Sequence, residues 1–259
     1  MPNGDAAFTL VNGPTVLIEF GGLRFLTDPT FDHGGGEYHG NGVTLRKTSD
    51  PVIGPDALGE IDAVLLSHDQ HSDNLDHSGR DFLGTVSVVL TTMAGAGRLQ
   101  GRAKGLEDWQ STIVKGRNGA EVRITATPCR HGPAGIEPIA GDVIGFLLET
   151  LDGSSQPIYA TGDTVYYEGV AEVARRFTPA FILAFAGAAR VRGPIDLTMS
   201  ANGLLDTARA FPQSLIIPVH TEGWAHFSQT SEEVAGVFGA LGLGDRMRTI
   251  GRGERLSLS

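Results

Sequence analysis

The sequence is poor in cysteine, in positive charge and in long apolar runs, and each shortage excludes a class of protein. Cys129 is the one cysteine among 259 residues, so no disulfide can form within the chain. No apolar run approaches the ~20 residues that a helix needs to cross a bilayer, so no membrane span is predicted. The start, MPNGDAAFTLV, lacks a basic segment followed by an apolar one. We therefore predict no signal peptide and a cytoplasmic protein.

The charge balance argues against a nucleic-acid partner. Lys and Arg number 20 against 30 Asp and Glu, which gives a net charge of −10, and no basic cluster interrupts this pattern. The apolar content of 41% is that of an ordinary globular protein, and 36 glycines indicate many tight turns. We expect one domain over residues 1–259 that acts on a small molecule. Whether it forms a homo-oligomer stays open.

The pattern of apolar residues predicts a mixed α/β protein that begins with strands. Gly21-Gly22, between two β-rich runs, indicates a hairpin. Residues 30–59 are rich in Gly, Asp and Pro and are predicted as one long loop that shapes a pocket. Helices are predicted over residues 94–104 and after the capping-box sequence TSEE at 230–233. This order suits two packed sheets with helices outside.

One stretch, IDAVLLSHDQHSDNLDH, combines a strand-like apolar run with a dense group of titratable residues. Carboxylates and imidazoles crowd together in this way around a divalent cation, which offsets their repulsion and their loss of hydration. Taken alone, the stretch is also compatible with a solvated acidic loop. The crowded residues are His68, Asp69, His71, Asp73, Asp76 and His77.

Three further apolar runs end in the same way. ITATP leads to His131, PIYATG leads to Asp163, and LIIPV leads to His220. Ligand sites in open α/β sheets gather at strand ends, where a rigid backbone holds the side chains. A lone histidine at a strand end is more often a structural residue. Four coinciding strand ends, however, predict one common site.

Taken in order, these segments resemble the metallo-β-lactamase superfamily, and most of all its branch with ascorbate-6-phosphate lactonase and N-acyl-phosphatidylethanolamine phospholipase D. The resemblance runs through TVLIEFGGLRFLTDPTF, SHDQHSDNLD, PCRHG, YATGDT and IPVHTEGWAHF, which together span nearly the whole chain. It implies an αββα four-layer sandwich of the α/β (α+β) class, with metal at one edge of the two sheets. It also implies a hydrolase that uses a metal-activated water on an ester, a lactone or a phosphodiester.

The family's first motif, His-x-His-x-Asp-His, is altered in this sequence. Read backward from Asn74, the motif aligns without an insertion and Asp69 replaces its first histidine. Read forward, His68 takes that place and the motif carries one extra residue. We prefer Asp69 and keep His68 as the alternative. The resemblance implies that Asp73 orients or deprotonates the attacking water. It implies as metal ligands Asp69 (or His68), His71 and His131 for one ion, Asp73, His220 and, weakly, Asn74 for a second, with Asp163 as a bridge.

This mixture of imidazole, carboxylate and amide donors suits one or two divalent ions. Zn²⁺ is the first expectation, and the oxygen ligands also favour Mn²⁺ or Fe²⁺. Glu222, Trp224 and His226 closely follow His220 and are expected to line the substrate pocket. Two other functions stay open: a mononuclear-iron oxidoreductase on the same fold, and a non-catalytic binding protein with a degenerate site.

Overall fold

Two mixed sheets form the centre of the protein in a computed structural model that describes residues 6–40, 42–101 and 103–258. In the described chain the strands are β1 (Ala6–Asn12), β2 (Thr15–Phe20), β3 (Leu23–Thr27), β4 (Glu37–Gly40), β5 (Val43–Arg46), β6 (Ala63–Leu65), β7 (Val89–Thr92), β8 (Ala103–Leu106), β9 (Ser111–Lys115), β10 (Glu121–Pro128), β11 (Ile144–Thr150), β12 (Ile158–Ala160), β13 (Phe181–Phe185), β14 (Leu215–Val219) and β15 (Arg255–Leu258). The helices are α1 (His77–Leu83), α2 (Met93–Leu99), α3 (Glu137–Ala140), α4 (Glu168–Arg176), α5 (Ala201–Ala210) and α6 (Ser231–Ala240).

The direction of the strands brings several of their carboxyl ends to one edge of the sandwich. One sheet has the order β15-β1-β2-β3-β6-β7-β8, and β3, β6, β7 and β8 are parallel. The other has the order β14-β13-β12-β11-β10-β9. Here β12, β13 and β14 are parallel, and β10 runs in their direction because β10 and β12 are both antiparallel to β11. The loops after β10, β12 and β14 therefore leave the sheet at the same edge.

Three apolar clusters separate four layers. The central cluster lies between the sheets and includes Phe25 of β3 and Phe146 of β11. Successive residues of a strand point to opposite faces, so Ile18 joins the central cluster while Leu17 packs outward. The outer faces of the two sheets are covered by α1 on one side and by α4, α5 and α6 on the other. These layers confirm the predicted αββα sandwich.

The predicted capping box forms at the start of α6. The Thr230 hydroxyl accepts from the Glu233 backbone N–H at 3.2 Å, and the Glu233 carboxylate accepts from the Thr230 N–H at 2.8 Å. The two contacts satisfy backbone donors that a helix N-terminus leaves without partners. None of the helices in the described residues is long and apolar enough to cross a membrane.

Two predicted elements are wrong. Residues 30–59 are not one loop, because β4 and β5 form a hairpin within them. Its strands are short, and no face of them is fully buried, so the alternation of apolar residues was too weak to reveal them. The helix predicted over residues 94–104 ends at Leu99 and is followed by the edge strand β8. Gly101 has a φ of 61°, a left-handed conformation that glycine adopts readily and that stops a helix.

Candidate metal centre

Three imidazoles converge at the edge of the sandwich. His68 and His71 follow β6, and His131 follows β10. His71 Nδ1 lies 2.9 Å from His68 Nε2 and 3.2 Å from His131 Nε2. The Leu197 carbonyl lies 2.8 Å from His131 Nδ1. Since a carbonyl can only accept, Nδ1 of His131 carries a proton and donates it to Leu197, and Nε2 faces the other two rings. We call His68, His71 and His131 the imidazole group.

Burial keeps His68 and His71 in the form that binds metal. Desolvation and the neighbouring imidazoles lower the pKa of His68 well below its usual value, and they lower the pKa of His71 to about 4. Both rings are therefore neutral at pH 7 and have a free lone pair. His71 Nδ1 has two imidazole nitrogens near it, but one ring position holds at most one proton. The contacts of His71 Nδ1 with His68 Nε2 and with His131 Nε2 therefore cannot both be good hydrogen bonds. One cation, by contrast, could bind all three nitrogens.

A second group combines two carboxylates and an imidazole, and consists of Asp73, Asp163 and His220; we call it the carboxylate group. His220 Nδ1 lies 2.9 Å from Asp163 Oδ1, and His220 Nε2 lies 3.6 Å from Asp73 Oδ2. Asp163 Oδ2 also lies 3.7 Å from His131 Nε2, so this carboxylate faces both groups. In each group the potential ligand atoms are within 4.8 Å of one another.

The acids of the carboxylate group are ionised at neutral pH. Burial opposes ionisation, but the hydrogen bond and charge of His226 outweigh it and hold the pKa of Asp73 well below its usual range. His226 donates from Nε2 to Asp73 Oδ2 at 3.0 Å. For Asp163 burial is likewise outweighed, and His220 holds its pKa below the usual range. In return, against the effect of burial, Asp163 and Asp73 raise the pKa of His220.

Two polar atoms of the carboxylate group lack a hydrogen-bond partner within the described parts of the chain. They are Asp163 Oδ2 and His220 Nε2, and both are buried. An unpaired buried polar atom destabilises a fold by about 1–3 kcal/mol. His220 also has a φ of 57°, which is unfavourable for a residue with a side chain and is typical of functional sites. A divalent cation would provide the missing partner, so the residues present fit such an ion.

The structure corrects the preference for Asp69 over His68. Asp69 belongs to neither group, and its carboxylate accepts from Arg98 Nε at 2.9 Å. Gln70 is turned the same way, since its Oε1 accepts from Arg98 Nη2 at 3.1 Å. The loop thus accommodates one extra residue between His68 and His71, and both histidines still point to the site. Sequence alignment without an insertion could not reveal this.

The three residues expected in the substrate pocket separate in the structure. His226 lines the cavity beside the two groups. Trp224 does not line it, because its ring is buried 5.2 Å from that of Tyr38, centroid to centroid. Glu222 does not line it either, and lies 3.4 Å from Arg252. Both expectations are corrected: the backbone after His220 turns these two side chains toward other parts of the protein.

Asn74 is buried, and neither atom of its amide has a hydrogen-bond partner in the described chain. An unpaired amide oxygen is available to a cation. Its role as a weak ligand of a second ion stays a prediction.

Sequence reasoning missed the buried ion pair that supports the site. Lys47 Nζ lies 2.7 Å from Asp76 Oδ2, and both side chains are 0% exposed. Asp76 also accepts from the backbone N–H groups of Phe31 and Gly79, and so caps α1. Asp76 stood out in the sequence as part of the crowded stretch. Nothing marked Lys47, because it lies in a polar segment that was predicted as a loop.

Another carboxylate lies behind the imidazole group. Asp28 Oδ1 accepts from the Ser67 backbone N–H at 2.7 Å, and the Ser67 hydroxyl lies 2.8 Å from His68 Nδ1. Burial, followed by the charge of Asp163, raises the pKa of Asp28 well above its usual value. Asp28 therefore holds the residue that orients His68, an arrangement common behind metal-binding histidines.

A cavity of about 170 Å³ opens onto both groups. His71 and His131 of the imidazole group line it, together with Asp73 of the carboxylate group. The remaining wall comes from the β4–β5 hairpin, from α3 and the residues before it, and from the loop at 189–197. A small molecule in this cavity would contact both groups of potential ligands.

An αββα sandwich with histidine and aspartate groups at one edge is the metallo-β-lactamase fold. The chain belongs to the β-lactamase superfamily, since the family described as "Beta-lactamase superfamily domain" matches residues 23–221. The match covers all six strands of one sheet, four of the seven strands of the other, and all six residues of the two groups. It confirms the superfamily that the sequence motifs indicated.

Individual relatives are distant but cover most of the chain. UPF0173 protein YddR of Bacillus subtilis (strain 168) is 24% identical in an alignment 237 residues long, which covers 87% of this chain and 89% of YddR. The structure of isothiocyanate hydrolase from Delia radicum gut bacteria has 22% identity and a TM-score of 0.84, over 98% of this chain and 99% of that one. CmlA, a diiron β-hydroxylase from Streptomyces venezuelae, has 14% identity and a TM-score of 0.67, over 100% of this chain and 54% of CmlA. At these identities the structures show a common fold, which hydrolases and a diiron enzyme share.

Proposed function

We propose that this protein is a metal-dependent hydrolase that acts on a small molecule. The observation that carries the proposal is the convergence of two groups of metal-binding side chains on one cavity. Hydrolases among the proteins of the same fold support it. The candidate substrates are an ester, a lactone or a phosphodiester. The isothiocyanate hydrolase of the same fold suggests compounds with another electrophilic carbon as a further candidate class.

The proposed ligands follow the two groups. His68, His71 and His131 would hold one ion through nitrogen alone, which suits Zn²⁺. The carboxylate group would hold a second, harder ion, with Mn²⁺ and Fe²⁺ as alternatives to Zn²⁺. Asp163 faces both groups and would bridge the ions, and Asn74 would add a weak oxygen ligand. A bound divalent ion would polarise the substrate and lower the pKa of a coordinated water to about 7.

Asp73 is the proposed catalytic residue. It lines the cavity, and His226 holds its Oδ2 through a 3.0 Å hydrogen bond. A carboxylate whose pKa is held far below neutral is a weak base, but it always accepts hydrogen bonds. Asp73 is therefore better suited to orienting the attacking water than to removing its proton. His226 acts through Asp73 and is a positioning residue.

Elemental analysis of the purified full chain, combined with hydrolysis assays, tests the proposal. We expect one or two divalent ions per chain, and loss of p-nitrophenyl butyrate or γ-lactone hydrolysis after chelation, with recovery after metal is restored. His131→Ala should lose metal and activity, whereas His33→Ala, at an exposed site, should keep both. Hydrolysis that is indifferent to chelation would contradict the proposal.

A metal-dependent oxidoreductase is the second candidate, because the diiron enzyme CmlA shares the fold and the carboxylate group suits iron. Iron as the native metal, together with oxygen consumption and no hydrolysis, would favour it. A fully folded protein without turnover in either assay would favour the non-catalytic alternative.

A further inference from the structure

Most of the cavity wall beyond the ligand groups is apolar. The apolar residues that form it include Val43, Leu45, Ile136, Ile139, Ile195 and Leu197. Ile139 is 52% exposed and Ile195 is 41% exposed, although both are large apolar residues. Apolar side chains that are left exposed together at a cavity, with polar residues nearby, mark a place where another apolar group binds.

Two polar side chains of the same walls, those of Tyr38 and Gln70, have hydrogen-bond partners within the protein. The Tyr38 hydroxyl donates to Asp32 Oδ2 at 2.7 Å. The Gln70 amide donates to the carbonyls of Ala140 and Asp142, each at 3.1 Å. A polar tail that paired with these two side chains would have to break these bonds, whereas an apolar tail leaves them intact.

The charges of the cavity argue against a phosphorylated substrate. Arg192 is the one Lys or Arg among the described residues that line it, and it is exposed. Phosphate groups are usually recognised by several charge-assisted donors, often paired arginines. The described part of the walls provides Arg192 as a single charged donor and no paired arginines.

The volume limits the size of the apolar group. A dry engineered cavity of about 150 Å³ lined by aliphatic and aromatic residues accommodates benzene. The cavity here, of about 170 Å³, is similar, although it is open to solvent. By this comparison it accommodates a substituent of about six carbon atoms.

Building on the hydrolase function proposed above, we infer that the substrate is a small uncharged carbonyl compound with a compact apolar substituent. The substituent lies between the β4–β5 hairpin, Ile139 and Ile195, and the carbonyl carbon faces Asp73 and the metal ligands. The substrate is an ester or a lactone: a water oxygen bonds to that carbon, the bond to the leaving oxygen breaks, and one proton of the water moves to the leaving oxygen. Ile139 and Ile195 determine specificity through apolar contact.

A series of substrates for the metal-loaded full chain tests this inference. We expect kcat/KM for p-nitrophenyl esters to rise about fourfold per methylene from acetate to hexanoate, because each methylene leaves water for the cavity. Bis(p-nitrophenyl) phosphate should be turned over at least ~100-fold less efficiently than the hexanoate. Ile139→Ser and Ile195→Ser should each reduce the preference for hexanoate over acetate about tenfold.

Ile113→Ser is the matched control, since Ile113 is 46% exposed in β9 and does not line the cavity. It should keep the preference for hexanoate. Ligand-observed NMR can measure the binding of 2-octanone, which is uncharged and cannot be hydrolysed. This second measurement needs no turnover. Ile139→Ser and Ile195→Ser should weaken this binding, and Ile113→Ser should not.

The outcomes separate the inference from the function on which it rests. Efficient turnover of the phosphodiester with no chain-length preference among esters would overturn the inference and leave the hydrolase function standing. Binding of 2-octanone that depends on Ile139 and Ile195, without hydrolysis of any substrate, would support the apolar ligand and overturn the hydrolase function. Equal effects of all three substitutions would overturn the assignment of the two isoleucines.

Discussion

The imidazole group and the carboxylate group lie side by side but differ in chemistry. Two rings of the imidazole group are neutral, because burial lowers the pKa of His68 and of His71. The carboxylate group has two ionised acids, Asp73 and Asp163, whose pKa values neighbouring imidazoles hold below the usual range. One group thus offers soft nitrogen lone pairs and the other offers charge and oxygen. Ions bound by the two groups would therefore not need to be the same element or to bind with the same affinity.

Asp163→Ala is expected to have the largest effect, because this carboxylate faces both groups. Its Oδ2 lies 3.7 Å from His131 Nε2, and its Oδ1 lies 2.9 Å from His220 Nδ1. Metal content should fall in both groups and activity should drop by more than about 100-fold, beyond what removal of a supporting residue produces. Elemental analysis and steady-state kinetics measure this. Asp152→Ala, in an exposed turn, is the control. Loss of only one ion would show that the two groups bind metal independently.

Lys47→Met tests how much the buried ion pair of Lys47 and Asp76 stabilises the protein around the two groups. The substitution leaves the buried Asp76 carboxylate without its cation, next to the loop that contributes residues to both groups. We expect the free energy of unfolding to fall by about 3–5 kcal/mol, measured by denaturant titration. The exposed pair of Lys115 and Glu121 is the matched comparison, and Lys115→Met should lower it by less than about 1 kcal/mol. Equal losses would mean that the buried pair has no special role.

The free energy of unfolding of the metal-free protein should depend on pH in a different way for each of the two groups. Burial lowers the pKa of His71 from 6.5 to about 4, so the unfolded chain binds more protons than the native protein between these values. Stability due to His71 is complete above pH 6.5 and is lost as the pH falls toward 4. Asp73 and Asp163 have depressed pKa values, so their contribution is lost only at lower pH. The raised pKa of His220 acts in the opposite direction, since its contribution is lost as the pH rises.

Unfolding free energies of chelator-treated protein from pH 7.5 to 4.5 measure this effect. His71→Gln should remove up to about 1.4 kcal/mol per pH unit of the slope. His33→Gln, at an exposed site, should leave the slope as it is. An unchanged slope in His71→Gln would contradict the difference in charge between the two groups.

Asp69→Asn is expected to have the smallest effect and tests which residues form the imidazole group. Asp69 is bound by Arg98 and belongs to neither group, so metal content should be unchanged and stability should fall by about 1 kcal/mol. His68→Gln, by contrast, should reduce the metal content of the imidazole group. Elemental analysis of the two variants decides the matter: metal loss in Asp69→Asn with retention in His68→Gln would reverse the correction made by the structure.

Much of the fold could be predicted from the order of apolar runs, because strands buried on both faces and amphipathic helices have distinct patterns. The hairpin β4–β5 could not be predicted in this way. Its strands have no fully buried face, and what stabilises its base is the contact of Lys47 with Asp76, which is distant in sequence. The same limit explains Glu222 and Trp224, which are near His220 in sequence but point away from the cavity.

The sequence alone determined the superfamily and the αββα layers, because motif order and apolar periodicity can be read along the chain. It also predicted as ligands five of the six residues that form the two groups. Only the tertiary structure decided between His68 and Asp69, which are adjacent in sequence. The choice depends on how one loop accommodates an extra residue, and Arg98, from another element, turns Asp69 away. The apolar cavity is also a tertiary property, since its walls come from segments that only folding brings together.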